Sequence, residues 1–550
     1  MKRLLLTLTA LALAAGGFAQ DFPAANRAML KVKVQKKYLM LPVEDNADGA
    51  NIQVIGKNSL VKSLNVRLAR QKTDYYVPLE INGDLTLDID FWGENKGIEH
   101  YACWKDMPQS DDFNTQNREK FRPEFHHTPV YGWMNDPNGM FYLDGVYHLY
   151  YQWNPYGSTW ENMTWGHSTS KDLVNWTAEK PVLFPDALGA IFSGSCVVDK
   201  NNTAGFGKNA IVAFYTSAGR NQVQSMAYST DGGYTFTKYD QNPVLIGDCP
   251  DFRDPKVFWN SEAGFWNMIL AAGQEMRIYS SKNLKEWKFE SSFGAGYGAH
   301  GGVWECPDLM KIDNKWVLIC NINPGGIFGG SATQYFVGDF DGKRFTTNQK
   351  ATLWLDYGKD HYATVTFFNA PYNRRIALAW MSNWQYANNV PTNQFRSANS
   401  VPRDLGVFAV DGNYYCSAKP SPELLKMRGS AIKTPSETCE IVVDIKKDTK
   451  ITLSNSRNEY VTISYDKTTG VLKIDRTHSG DCSFSPDFAA ETSVKVPGGS
   501  RQLRIFIDRC SIEVFDSEGK AVMTNLVFPS EYYSKIAATG CKTIIYQLKK

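Results

Sequence analysis

Three acidic residues in this 550-residue chain sit in short stretches whose neighbours could tune a carboxylate. They are Asp136 in WMNDPNG (133–139), Asp254 in FRDPK (252–256) and Glu305 in WECPDL (304–309). Two carboxylates that converge on a bound sugar can break a glycosidic bond, one as nucleophile or base and the other as proton donor to the leaving oxygen. A separation of ~5 to 5.5 Å gives retention and a wider one inversion. The two must hold their protons with different strength, so the donor needs an apolar or like-charged setting and the nucleophile a hydrogen-bonded one. Trp304 and Cys306 flank Glu305, whereas Asn135 and Asn138 surround Asp136. These neighbours favour Glu305 as acid and Asp136 as nucleophile. Each stretch also has a plainer reading. N-D-P-N-G is turn chemistry in its own right, and Arg-Asp before Pro is often a surface ion pair at the start of a strand.

A β framework must position these acids. Long helical periodicity is scarce, and runs such as IVAFYTSAG (211–219) and KWVLICNINPGG (315–326) read as strands and turns. Four segments share a strand end, a polar turn and a closing aromatic: STSKDLVNW (168–176), YSTDGGYTF (228–236), YSSKNLKEW (279–287) and VGDFDGKRF (337–345). The aromatics Trp176, Phe236, Trp287 and Phe345 lie 60, 51 and 58 residues apart. That period suits four strands per unit, and radial repetition of four-stranded sheets is a β-propeller. A fifth unit, HYATVTFFNAPYNRRIALAWMSNW (361–384), continues the strands without the marker, so a five-bladed β-propeller is expected over residues 120–410. Asp136 precedes Trp176 by 40 residues, Glu305 precedes Phe345 by 40 and Asp254 precedes Trp287 by 33. The three acids therefore open three blades, and FSGS (192–195) offers a hydroxyl at the same place in another. Because the first strand of each blade lines the axis, the carboxylates are expected to meet at one channel mouth.

Flanking segments complete an all-β chain. The propeller pattern breaks at RDLGVFAVDGNYYCSAKPSPELL, after which VVDIKK, VTISYD, LRIFIDR and SIEVFD alternate as in a C-terminal β-sandwich over residues 420–550. Residues 21–112, with NIQVIGKN, LNVRLAR and LTLDIDFW, read as an extra N-terminal β-sandwich-like accessory domain. Residues 1–19 have the layout of a signal peptide: Lys2 and Arg3, an apolar run from Leu4 to Ala15, then Gly17-Phe18-Ala19. A secreted or periplasmic protein is expected, without a lipid-anchor cysteine because the first cysteine is Cys103. No later segment approaches the ~20 apolar residues of a membrane helix. Removing Lys2 and Arg3 turns 59 cations and 57 anions into 57 of each, which gives no electrostatic reason to expect nucleic acid or an anionic membrane as partner. The ten cysteines include no C-x-x-C pair and no histidine cluster at ligand spacing, so no metal and no cofactor is expected. The doublet His126-His127 reads as a loop or strand start. Aromatic content, 13%, suits sheet packing or stacking on sugar rings.

WMNDPNG, FSGS, FRDPK and WECPDL, in that order, resemble the signature set of the glycoside hydrolase family 32 β-fructosidases, which include invertases, inulinases and levanases. LDYGKDHYA (355–363) and DRCSIEVF (508–515) extend the resemblance, which covers roughly residues 125–545. The N-terminal segment lies outside it and resembles an extra domain of some bacterial fructanases. The resemblance implies that Asp136 attacks the anomeric C2 of a fructosyl unit, that Glu305 acts as acid and then base, and that Asp254 stabilises the transition state with Arg253 fixing its ionised form. It implies a fructose site lined by Asn135, Gln152, Trp160, Phe192 and Ser193, with Trp133, Asp356, Lys359 and Trp380 as further candidates. Fructan or sucrose is the implied substrate, with exo action and retention favoured. An endo-levanase or endo-inulinase, an inverting arabinanase- or xylosidase-like enzyme and an inactive fructan-binding protein stay open at this stage, as does the oligomeric state. Cys510 stands where the family more often has a small hydroxyl residue.

Overall fold

A computed structural model describes residues 18–57, 59–114 and 118–549. The apolar run Leu4–Ala15 of the expected signal peptide lies outside the described residues. Those residues form forty strands and five short 3₁₀ segments with no α-helix. No helix among them is long and apolar enough to cross a membrane. Two compact units result, one of Met1–Asn117 with Asn154–Asn162, the other of Arg118–Trp153 with Met163–Lys550.

The first unit has an antiparallel five-stranded sheet and a three-stranded one. In the larger, Leu30, Ile52, Val54, Leu87 and Ile89 are buried on alternate positions, and in the smaller Leu39, Leu41, Val77 and Leu79 are. The segment 154–162 belongs to this unit through Ser158, whose Oγ donates to Asp45 Oδ1 at 3.0 Å, and through Asn162, whose Nδ2 donates to Asn65 O at 2.8 Å.

The second unit contains five sheets of four or five strands. Their innermost strands are β1 (Gly132–Leu143), β2 (Ala190–Asp199), β3 (Phe252–Asn260), β4 (Val303–Ile312) and β5 (Tyr362–Thr366). These five touch one another in a closed ring around the axis. Phe395–Arg396 closes the circle by pairing parallel with Gly132 and Trp133 of β1. Apolar clusters fill each gap between blades: Phe141, Tyr150 and Trp165 pack against Val198 and Tyr215, and Met134, Met140 and Leu149 against Ile376 and Leu378.

The repeated segments are the outer hairpins of four blades. In each, an Asp or Asn side chain folds back onto the backbone, which is the turn these residues favour. Asp172 Oδ1 accepts from the N–H of Val174 and Asn175, and Asp231 Oδ1 from Tyr234 and Thr235. Asn283 Oδ1 accepts from Lys285 and Glu286, and Asp341 Oδ1 from Lys343 and Arg344. The marker aromatic then turns inward; Phe236, Trp287 and Phe345 each join an inter-blade cluster.

The C-terminal sandwich hangs on two long strands, Thr438–Ser454 and Lys535–Leu548. The first half of Thr438–Ser454 pairs with Gln502–Asp508 and the second with Tyr460–Asp466. A register shift between Ile445 and Lys450 separates the halves, so one hydrogen-bonded sheet folds over itself around Ile441, Val443, Ile451, Ile463, Ile505 and Val514.

Buried ions join the sandwich to the propeller. His126 lies between Asp508 Oδ2 on Nδ1 and Glu513 Oε1 on Nε2, both at 2.8 Å. Arg403 donates to Glu513 Oε2 at 2.6 Å and to Asp356 Oδ2 at 2.8 Å. Thus the His126-His127 doublet is no simple loop start; both rings are buried, and His126 is a charged clamp. All ten cysteines are unpaired thiols, seven of them buried.

Candidate active site

Four of the five inner strands share one local distortion. On β2 the pairing passes from Ile191–Ser217 to Gly194–Tyr215, on β3 from Arg253–Ala271 to Lys256–Ile269, on β4 from Glu305–Asn321 to Asp308–Ile319, and on β5 from Tyr362–Trp380 to Val365–Leu378. Each step advances three residues on the inner strand against two on its partner. One extra residue is a β-bulge, which bends the strand and re-aims its side chains. The first bulged residue has φ of +65° at Asp254, +42° at Cys306 and +54° at Ala363. Proline at 137, 255 and 307 is tolerated because no strand pairs with the inner strand on its axial side at these positions, so the missing N–H costs no ladder bond there. In FSGS the glycine is required: a Cβ on Gly194 would meet Phe214 O at 1.9 Å.

These bulges set the acids one position apart. Arg253, Glu305 and Tyr362 occupy the same register, and Asp254 aligns with Cys306. The sequence spacings of 33 and 40 residues therefore conceal a one-residue offset between Asp254 and Glu305. WMNDPNG is likewise continuous strand within β1 and not a hairpin turn, with its left-handed residue at Gly139, φ +53°. A side chain at Gly139 would collide with Tyr150 and Trp165, within 3 Å.

Asp136 is fixed by three donors. Asn135 Nδ2 reaches Oδ1 at 3.0 Å, while Ser193 Oγ at 2.5 Å and Cys306 Sγ at 3.2 Å reach Oδ2. Trp133 Nε1 in turn donates to Asn135 Oδ1 at 2.8 Å. With its amide oriented to suit its neighbours, Asn138 accepts from Gln152 Nε2 at 3.0 Å and donates to Ser193 Oγ at 3.2 Å. Gln152 is 2% exposed, so it acts on the site through Asn138 and Ser193.

Glu305 has a different setting. Arg253 grips its Oε1 through Nε at 3.2 Å and Nη2 at 2.9 Å, and Tyr362 donates a short hydrogen bond to Oε2. Burial pushes its pKa up, against the Arg253 charge and the Tyr362 hydrogen bond. Arg253 is itself held by Asp251 at 2.5 Å and Gln222 at 3.1 Å. Asp254 accepts from Cys306 N at 2.9 Å, and its own N–H donates to Thr216 Oγ1 at 3.0 Å. Burial pushes Asp254 up to about 7, opposed by Arg253 and reinforced by the charges of Glu305 and Asp136. The cation bonded to Glu305 stands 3.9 Å from Asp254, so Arg253 favours the ionised form of Asp254 through its charge but does not overcome burial.

The aromatic wall differs from expectation. Trp133 and Trp380 are 0% exposed and cannot face a ligand. They stand behind half-buried Trp384, which stacks on Trp133 at 5.7 Å, while half-buried Phe192 packs on the same cluster with Tyr362. Asp356 and Lys359 lie elsewhere than expected: Asp356 is bonded to Arg403 and to Thr524, and Lys359 donates to Asp487 O at 2.5 Å, so both tie the propeller to the sandwich. Trp160, half-exposed, lies on the 154–162 segment of the first unit. Cys306, Tyr362, Trp384, Asn138 and Asp251 also belong to the site without being expected there; Tyr362 lies within LDYGKDHYA, and its aromatic hydroxyl in that motif is the one signal of this in the sequence. Among the described residues no group of three or more His, Cys, Asp or Glu is arranged to hold a metal ion.

Comparison with known proteins gives three matches along the chain. Residues 126–418 match the N-terminal domain of glycosyl hydrolases family 32, residues 417–545 its C-terminal domain, and residues 24–125 a domain of unknown function (DUF4980). A levanase from Bacillus subtilis (strain 168) is 44% identical over 78% of this chain and 71% of its own length. An extracellular exo-inulinase from Aspergillus awamori is 36% identical over 77% of this chain and 93% of its own. The crystal structure of exo-inulinase from Aspergillus awamori superposes with a TM-score of 0.73 at 34% identity, covering 80% of this chain and 99% of that one. A β-fructofuranosidase from Schwanniomyces occidentalis complexed with fructosyl-erythritol gives 0.70 at 33% identity, covering 78% and 98%.

Proposed function

This chain belongs to glycosyl hydrolases family 32 and is a glycosidase acting on fructosides, and we propose that it releases terminal fructose from levan, inulin and sucrose by a retaining double displacement. Asp136 attacks the anomeric C2 as Glu305 gives its proton to the departing glycosidic oxygen, leaving a fructosyl ester on Asp136. Glu305 then takes a proton from water, which attacks C2 and frees fructose. Asp254, poised near neutrality, holds ring hydroxyls as positive charge develops.

The observation that carries this reading is the unequal treatment of two carboxylates on separate inner strands. Asp136 is fixed by three donors, as a nucleophile requires, while burial keeps Glu305 protonated to higher pH than an ordinary carboxylate. In this reading residues 120–410 carry catalysis, 420–550 brace them through His126 and Arg403, and 21–112 is accessory. Export is part of the proposal, supported by the Leu4–Ala15 run and by the extracellular exo-inulinases among the relatives.

Timed product analysis on inulin, levan and sucrose tests it. Free fructose from the earliest points is expected; early oligosaccharides would overturn exo action, and arabinoside cleavage with none of sucrose would overturn the substrate class.

A further inference from the structure

We infer that the mouth of the propeller axis opposite the three acids is a second, non-catalytic site that binds a segment of neutral fructan chain. The inference rests on the proposed substrate class for the identity of the ligand, but its geometry is independent of the acids. All five inner strands start near the catalytic end and run toward the other. From Glu305 to Lys311 on β4 is six residues, about 20 Å at ~3.3 Å per residue. At that far end a cavity of about 780 Å³ is lined by the downstream parts of β2 to β5 and the turns that follow them. Its size falls within the ~300 to 1,000 Å³ of ligand pockets.

The cavity floor is built. Lys256 stands across the axis, its Nζ donating to Thr366 O at 2.7 Å and pairing with Asp308 Oδ2 at 2.9 Å. Asp308 is 0% exposed, and its Oδ1 has no hydrogen-bond partner among the described residues. A small pocket beneath the catalytic acids reaches Lys256 from the other side. The plug therefore separates the two mouths.

The walls suit a neutral polyhydroxylated ligand. Trp259, 38% exposed, presents an indole at the rim, and Trp266 braces it edge-on at 5.2 Å while being held by Thr203 at 2.9 Å. A rigid exposed indole offers the apolar face that sugar C–H groups pack on. The charges around it nearly balance, with Lys200, Lys256, Lys311 and Arg375 against Glu262, Asp308 and Asp313; Lys311 pairs with Glu262 and Lys256 with Asp308, while Lys200 donates to the Asn369 amide oxygen at 2.7 Å. Four cations against three anions leave only a weak field for an ionic ligand, while Asn201 and the second carboxylate oxygen of Glu262 offer donors and acceptors at the rim. A polymer engaged here and in the catalytic pocket would be held at two points, which raises its apparent affinity without new catalytic contacts.

The test uses the full chain with Trp259→Ala and, as a milder change that keeps an aromatic face and should lose less, Trp259→Phe. Sucrose kcat/KM is expected to stay within about twofold of wild type, while the levan or inulin concentration for half-maximal rate rises about tenfold, the loss of one aromatic anchor. In gels containing levan or inulin, Glu305→Gln protein should migrate more slowly than Glu305→Gln/Trp259→Ala protein. Equal migration of the two, retardation by a glucan alone, or an equal loss on sucrose and polymer would overturn the inference. Failure of the wild type to cleave any fructoside would instead fell the catalytic proposal, and polysaccharide retardation would remain a separate readout.

Discussion

Replacing His126 removes a charge held between two carboxylates, and the consequence depends on pH. The ring is fully buried, with Asp508 Oδ2 and Glu513 Oε1 each 2.8 Å from a ring nitrogen. Both nitrogens must donate, so the bound form is imidazolium. Burial alone would depress its pKa, but the two hydrogen bonds and charges overcome this and push it up to about 9. An unfolded histidine titrates near ~6.5. Because the folded value is the higher one, the stabilisation is fully present below pH ~6.5 and is lost as pH rises toward 9. A folded value of about 9 against ~6.5 unfolded corresponds to about 3 kcal/mol. His126→Gln should be less stable than wild type by about that amount at pH 6, and the two should converge near pH 9. Urea unfolding at pH 6, 7, 8 and 9 measures the difference, in which titrations common to both proteins cancel. Parallel stability curves across that range would refute the clamp as a charged group.

Other outcomes follow from the same geometry. Asp136→Ala and Glu305→Ala should each lower kcat by roughly four orders of magnitude on sucrose, since nucleophile and acid act as a unit; near-wild-type hydrolysis by both would remove them from the mechanism. Asp254 titrates at about 7 when folded, so its ionisation destabilises the protein as pH rises from ~4 through 7. Asp254→Asn should therefore be nearly inactive yet more stable than wild type, by up to about 4 kcal/mol at pH 8 and by little at pH 4, in thermal unfolding. Tyr362→Phe removes a hydrogen bond that lowers the Glu305 pKa. The alkaline limb of its kcat/KM profile should move to higher pH, and a downward shift would contradict the assignment.

Several features were legible because their causes are local. Asp172, Asp231, Asn283 and Asp341 close their turns on residues two to four positions away, so the blade repeat shows in the sequence itself. The three acids were found for a related reason: each lies in a short motif at the start of an inner strand. Other residues were misread where the deciding partner is distant. Asp356 meets Thr524 across 168 residues and Arg403 across 47, and no pattern around LDYGKDHYA announces either. The burial of Trp380 depends on Trp133 and Trp384, which only the closed ring brings together.

The sequence by itself determined an all-β propeller with a C-terminal sandwich and three acids opening three blades, because alternation, turn chemistry and motif order are properties of neighbouring residues. Only the tertiary structure decided how those acids differ. A bulge is a mismatch between two paired strands, so the one-residue offset of Asp254 from Glu305, the thiol of Cys306 against Asp136 and the grip of Arg253 on Glu305 exist only once β3, β4 and β5 are paired and closed around one axis.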